Sequence, residues 1–289
     1  MTGLCPKHDI IRLEPRILTS GYTEQDTESY YDSQDSIYSS FWDSDGSVHW
    51  GYSHEHTGTD FLAACANLNR LMIDKSQIDA GSRVLDLGCG NGRTALILHD
   101  ELGCDVVGVD LSGVRINNAL DALASRGPEV RNKVTFRKAS AVDLPFANDS
   151  FSHVWSQATL YHVHDQATAL REAYRVLEDG GVFVFDDLFK PQPNIGPSAR
   201  KHVYERLLFD TEYSFESYQA ELRDVGFTVL DAIDLSDHLK MSYWCVAIMT
   251  HNRGGEQADH YAELSKSYEL SAQAVVDREV GWGLFLCQK

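Results

Sequence analysis

No run of apolar residues in the 289-residue chain approaches the eighteen or more that a membrane-spanning helix needs, so no such span is expected. Basic residues are scarce: 25 Lys and Arg stand against 43 Asp and Glu, a formal charge of −18. That field repels a phosphate backbone, and nucleic-acid binding is not expected. The six cysteines (Cys5, Cys65, Cys89, Cys104, Cys245 and Cys287) are scattered, with no C-x-x-C pair. Neither a zinc site nor a disulfide framework is indicated, no metal is expected, and buried thiols are the simplest reading. Internal repeats and low-complexity tracts are absent. Met1 to Leu18 carries Lys, His, Asp and Arg where a signal peptide needs a continuous apolar core, which points to a soluble, cytoplasmic protein. At 43% hydrophobic, the chain has enough apolar material for a full core, as one large domain or one domain with a cap.

What is present is concentrated around Val84-Leu85-Asp86-Leu87-Gly88-Cys89-Gly90-Asn91-Gly92-Arg93, followed by a helical run and then Asp105-Val106-Val107-Gly108-Val109-Asp110. An apolar run ending in a carboxylate, alternate glycines, an amphipathic segment and a second apolar run ending in Asp form a strand–loop–helix–strand unit that holds a nucleoside. Glycines let the backbone turn tightly and bring N–H groups against a ligand at the positive end of the next helix. Asp110, at the carboxyl end of the second strand, can accept from both hydroxyls of a ribose diol. A dinucleotide fingerprint would need glycine where this chain has Arg93.

The order here is instead D-x-G-x-G-x-G, with the second acidic residue twenty-four positions after Asp86. That pattern resembles the class I S-adenosylmethionine-dependent methyltransferases. The resemblance continues through Asp143-Leu144-Pro145-Phe146, Ser150 to Ser156, Tyr161-His162, Glu172 to Leu177 and Gly180-Gly181, and covers residues 80 to 190. Tyr30 to Asp35 and Val48 to Tyr52 look like the lid of the small-molecule subgroup that includes sarcosine/dimethylglycine N-methyltransferases and tocopherol-type C-methyltransferases. The resemblance implies a Rossmann-like α/β fold: a seven-stranded, mostly parallel sheet, its last strand antiparallel, helices on both faces and an N-terminal helical, aromatic lid. It implies S-adenosylmethionine as cofactor, held by Asp86, Gly88, Cys89, Gly90, Asp110, Leu111, Ser140, Ala141, Gln157 and, from the lid, Tyr22. Related sequences place an Asp where this chain has Ser140, as the acceptor for the adenine amino group. Whether Ser140 or Asp143 takes that role stays open, since Asp143 also suits a turn before Leu144-Pro145.

Taken in order, residues 1 to 20 lack periodicity and read as an arm. Gly21 to His56 holds eight large aromatics in thirty-six residues, interleaved with acids that include Asp32, Asp35, Asp43, Asp45 and Glu55. These rings either pack a cap onto the sheet or line a lid over the ligands. Residues 1–56 are accordingly expected to be arm and lid, and 57–289 the methyltransferase domain, with helical insertions at about 197–225 and 235–277. Thr59 to Asp74 has helical spacing, Arg93 to Leu102 is a helix closed by Gly103, and Ser112 caps another running to Ser125. Val134 to Arg137, Phe151 to Gln157, Val182 to Phe185, Phe227 to Ile233 and Gly281 to Cys287 read as strands. Asp186-Asp187 are expected at the pocket mouth or facing solvent, and about forty residues that include Trp244 read as a helical stretch.

The acceptor end should lie past the fourth strand. No N-P-P-Y tetrapeptide or Pro-Cys pair of nucleobase methylases is present there. Tyr31, Tyr161 and His162 are the candidate catalytic residues; Tyr30, Trp42, His49 and Trp50, again with Tyr161 and His162, are the candidate substrate contacts. A sulfonium methyl is already activated, so alignment and exclusion of water are the main requirements. A hydroxyl acceptor usually wants a base or metal, whereas a neutral amine needs only proton removal before or during attack. N-methylation of an amine or amino-acid-like molecule is therefore favoured over C- or O-methylation of an aromatic or prenylated product. A nicotinamide oxidoreductase and a non-catalytic nucleoside-binding protein are the remoter alternatives. The partner expected is a small-molecule acceptor, and a homodimer stays open.

Overall fold

The computed structural model describes residues 21–42, 48–54, 57–209, 211–253 and 258–289. The arm at residues 1–20, Cys5, the acids Asp43, Asp45 and Glu55, and the ring of Phe41 lie outside the described positions. In chain order come α1 (Glu24–Phe41), α2 (Phe61–Ser76), β1 (Arg83–Leu87), α3 (Arg93–Leu102), β2 (Asp105–Asp110), α4 (Gly113–Ala124), α5 (Pro128–Arg131), β3 (Val134–Lys138) and β4 (Phe151–Gln157). A 3-10 turn at Leu160–His162 leads to α6 (Gln166–Val176), β5 (Leu177–Phe189), α7 (Pro197–Ala199), a π-helical turn at Arg200–Glu205, α8 (Phe215–Val225), β6 (Thr228–Asp234), α9 (Ser236–His251), α10 (Ala258–Val276) and β7 (Gly281–Gln288).

The strands form one sheet in the order β3-β2-β1-β4-β5-β7-β6, with β7 antiparallel to both its neighbours and the other pairings parallel. Its inner strands are buried on both faces, so Val84 to Leu87 is closed to solvent as a continuous run rather than at alternate positions. Side chains still alternate between two cores. Trp155, Val184 and Leu188 pack with α2, α9 and α10, whereas Phe151, Phe183, Phe185 and Phe189 pack with α6 and α8. Local chemistry sets the helix ends. Asp60, Ser112 and Asp165 each cap a helix by accepting from a backbone N–H, and Gly103 closes α3 at φ 74°.

Two expectations need correction. Strand β5 extends to Phe189, because β7 pairs with it from Val182 to Phe189. Asp186 and Asp187 consequently sit inside the sheet, each with no exposed surface, not at a pocket mouth or in solvent. The helical stretch around Trp244 consists of α9 and α10, packed on each other, and the helical region before β6 consists of the π-helical turn and α8. No helix among the described residues is long and apolar enough to cross a membrane.

Candidate active site

The strand order turns between β1 and β4, and a cleft opens at the carboxyl ends of these strands. It encloses about 1040 Å³, part of it open to solvent. The loop after β1 supplies one wall. Gly88, Gly90 and Gly92 all have positive φ (81°, 53° and 79°), a region that L side chains rarely adopt. A Cβ at Gly88 would fall 2.2 Å from Thr159, so glycine lets the first and fourth loops touch. A Cβ at Gly90 would meet nothing nearer than Arg115 Nη1 at 3.5 Å; the bare Cα faces open space in the cleft.

Asp110 accepts from Gly90 N–H at 2.9 Å and Ser112 N–H at 2.8 Å, which ties the loop to the start of α4. Burial raises its pKa against the pull of Arg115 and these two bonds. Asp86 also lines the cleft and is 2% exposed, and its Oδ2 has no hydrogen-bond partner. Burial, helped by the charge of Asp110, pushes its carboxyl from 3.8 up to about 7. An orphaned buried carboxylate fits a cationic ligand group, and the glycine cradle beside the Asp110 carboxylate fits a ribose. Gln157 closes the floor, bonded to Asn69, Thr94 and Trp155 at 2.9, 3.1 and 3.1 Å.

The acceptor end is formed where α1 crosses the cleft. Glu24, Thr27, Glu28 and Tyr31 share one helical face and line it together. The Tyr31 hydroxyl is hydrogen-bonded to His162 Nε2, with the rings edge to face and centroids 5.0 Å apart. Arg115 lies over the other side of Tyr31, its Cζ 4.1 Å from the ring centroid. Burial, with the charge of Arg115, lowers His162 to about 3, so the imidazole is neutral. The turn that carries His162 is fixed from below: Asp187 accepts from Tyr161 N–H and from the Tyr218 hydroxyl, both at 2.9 Å. Four carboxylates hold α1 down. Glu24 accepts from Ser140 Oγ, Glu28 pairs with Lys138, Asp32 accepts from Ser112 Oγ at 2.5 Å, and Asp35 accepts from Asn118 Nδ2 at 2.9 Å and Asn91 Nδ2 at 3.1 Å.

Of the residues expected to hold the cofactor, Asp86, Gly88, Cys89, Gly90, Asp110, Leu111, Ala141 and Gln157 line the cleft. Ser140 and Tyr22 do not, and exposed Asp143 lies opposite Ser140 in an isolated bridge. Of the expected acceptor and catalytic set, Tyr31, His49 and His162 line the cleft, whereas Trp42, Trp50 and Tyr161 join Tyr31 around a smaller chamber behind it. Tyr30 lines neither and bonds Tyr38 at 2.6 Å. Glu24, Glu28, Thr94 and Arg115 were not singled out by sequence reasoning. A signal existed for the first two, since a Thr23 cap followed by Glu24, Glu28 and Tyr31 is one helical stripe. Among the described residues, no three His, Cys, Asp or Glu side chains are grouped to hold a metal ion.

Residues 85–185 match the family model described as a methyltransferase domain. The 27-O-demethylrifamycin SV methyltransferase of Amycolatopsis mediterranei is 30% identical over 76% of this chain and 80% of its own. The sarcosine/dimethylglycine N-methyltransferase of Halorhodospira halochloris is 28% identical over 94% of this chain and all of its own. The fold matches that of geranyl diphosphate C-methyltransferase from Streptomyces coelicolor with a TM-score of 0.75 at 15% identity, over 92% of this chain and 97% of that one. The chain belongs to this family and is a class I, S-adenosylmethionine-dependent small-molecule methyltransferase.

Proposed function

We propose that the cleft methylates the nitrogen of a small amine. The observation that carries this reading is the Tyr31–His162 pair at the acceptor end. With His162 lowered to about 3 and burial raising the phenol of Tyr31, neither group takes a proton from a hydroxyl near neutral pH. An amine that has given its proton to solvent has its lone pair and asks only to be oriented, which the two rings and their hydrogen bond favour. S-adenosylmethionine supplies the activated sulfonium methyl when bound. In this reading Asp86 receives the cofactor's ammonium, Asp110 its ribose hydroxyls, and the loop N–H groups lie along its edge. Helix α1 is the lid, excluding water through Thr27 and Tyr31 while Thr27 Oγ1 reaches the His162 carbonyl at 3.3 Å. The name of the Halorhodospira relative, which matches nearly the whole chain, supports an amine acceptor. A cytoplasmic location belongs to the same reading, and sedimentation would test the homodimer.

The test is incubation of the full chain with S-adenosylmethionine and matched amines, alcohols and phenols, read by mass spectrometry. We expect the amines to gain methyl groups. Methylated alcohols or phenols with unchanged amines would overturn the reading.

A further inference from the structure

The smaller chamber behind the acceptor end is narrow, about 270 Å³ of space with part of it open to solvent, and shares Tyr31 and Val48 with the cleft. Its other walls include Tyr38, Trp42, Trp50, Tyr161 and Arg206. Arg206 brings a permanent positive charge to this aromatic space. Its Nε donates to the His202 carbonyl at 2.7 Å, Nη2 reaches Ser271 Oγ at 3.4 Å, and its Cζ stands 4.6 Å from the Tyr268 ring centroid. These contacts fix the fork but leave one tine: Nη1 is buried with no acceptor. None of the ion pairs among the described residues neutralises Arg206.

A second donor is in the same condition. Trp50 Nε1 is buried without an acceptor; its ring centroid is 4.6 Å from that of Tyr243, whose hydroxyl stands against Arg206. Buried polar groups normally find partners, and a buried cation without a counter-charge is strongly unfavourable. The chamber thus holds buried N–H donors without acceptors and a positive charge, and none of its walls among the described residues brings a negative charge. A carboxylate has the complementary set: acceptor oxygens only, one negative charge and a flat shape that fits between rings. A phosphate group would bring more charge than a single guanidinium balances.

We propose that the chamber binds the carboxylate of the methyl acceptor, with Arg206 Nη1 and Trp50 Nε1 donating to it. Building on the amine reading, this makes the substrate class small amino acids, whose nitrogen extends past Tyr31 into the cleft. The ring of Tyr31, shared by chamber and cleft, then lies beside the nitrogen as it gains a methyl group and charge, an environment that favours an alkylammonium. The chamber's small size limits the acceptor to few atoms between carboxylate and nitrogen. In a chain with a formal charge of −18, Arg206 also gives an anion a place to go that the acidic surface does not.

The probe is 3,3-dimethylbutyrate, a carboxylate with no nitrogen to methylate, titrated calorimetrically into the full chain with S-adenosylhomocysteine present. Its neutral counterpart 3,3-dimethylbutanol and the matching phosphonate are the controls. We expect the carboxylate to bind at least tenfold more tightly than either. Arg206→Met should weaken it at least tenfold and leave cofactor affinity within twofold. Trp50→Phe, which keeps the ring and removes the N–H, should weaken it about threefold. Equal binding of carboxylate and alcohol by the unaltered chain, tighter binding of the phosphonate, or unchanged affinity in Arg206→Met would each overturn the proposal. If Arg206→Met fails to fold, the comparison of probes and Trp50→Phe still decide. Carboxylate binding without methylation of any amine would sink the amine reading alone, and methylation of amines without carboxylate binding would sink this inference alone.

Discussion

The two ends of the cleft are built by different means. At the cofactor end, each residue sits at the end of a strand or in the loop that follows it, so Asp86, Gly88, Gly90 and Asp110 come together as soon as β1 and β2 pair. The acceptor end is assembled across the chain: Tyr31 meets His162 over 131 positions, and Gly51 is bonded to Ser242 over 191. Its aromatic residues serve both the core and the chamber. Trp42, 3% exposed, packs against Trp50, Phe61 and Tyr268 while walling the chamber, so binding surface and structural support are the same rings. A change at the first end should damage the ligand site and spare the fold; a change at the second should disturb both.

Gly90→Val gives the sharpest break. Its side chain would project into the cleft from a backbone at φ 53°, so we expect cofactor binding to be lost in calorimetry while the thermal melt stays cooperative. Retained binding would mean that the loop does not approach the ligand. The converse variant is Trp42→Ala, expected to cost about 3–5 kcal/mol in denaturant unfolding. Full stability in that variant would separate the rings from the core and undo the contrast.

Asp110→Ala should weaken cofactor binding by about 2–4 kcal/mol, since it removes bonds to a charged group on both the ligand side and the Gly90 loop. Unchanged affinity would remove Asp110 from the site. A smaller effect should come from pH. The Asp86 carboxyl titrates near 7 in the free protein, and a cation beside it favours the ionised form. Cofactor affinity should therefore be flat above pH 7 and fall up to tenfold, about 1.4 kcal/mol, per unit below it. The linkage to folding runs the other way. A raised carboxyl pKa contributes stability that is complete below 3.8 and lost as pH rises through 7, and Asp186, buried to about 7 as well, adds in the same sense. The cofactor-free protein should melt lower at pH 8 than at pH 5, and Asp186→Asn should reduce that difference.

The smallest effect concerns Ser140. Its hydroxyl donates to Glu24 instead of lining the cleft, so Ser140→Ala should cost about 1 kcal/mol of cofactor affinity by loosening the lid. Ser140→Asp, which family resemblance alone would make neutral or favourable, should weaken binding further, because it sets a second carboxylate against Glu24. Improved affinity in Ser140→Asp would show that Glu24 moves away when the cofactor binds.

The cofactor end was legible because its requirements are local. A positive-φ backbone selects glycine, a strand end selects the position of Asp110, and helix caps such as Ser112 and Asp165 announce themselves by residue type. The lid was legible only as composition. Eight aromatics in thirty-six residues mark a segment of unusual use, yet α1 presents both rings and carboxylates to its neighbours, and no spacing says which partner each will find. Asp186 and Asp187 were misread as surface groups because a carboxylate pair after an apolar run ordinarily ends a strand; pairing with β7 carried them inward, where Trp282 Nε1 and the Tyr218 hydroxyl meet them at 2.8 and 2.9 Å.

By itself the sequence determined the strand–loop–helix core, the nucleoside cradle and the class of chemistry, since each rests on interactions between residues close in the chain. Only the tertiary structure decided that Ser140 serves Glu24, that His162 is kept neutral, and that Arg206 stands uncompensated beside Trp50. Charge state and hydrogen-bond partnership depend on what is buried together, and burial is a property of distant segments packed in space.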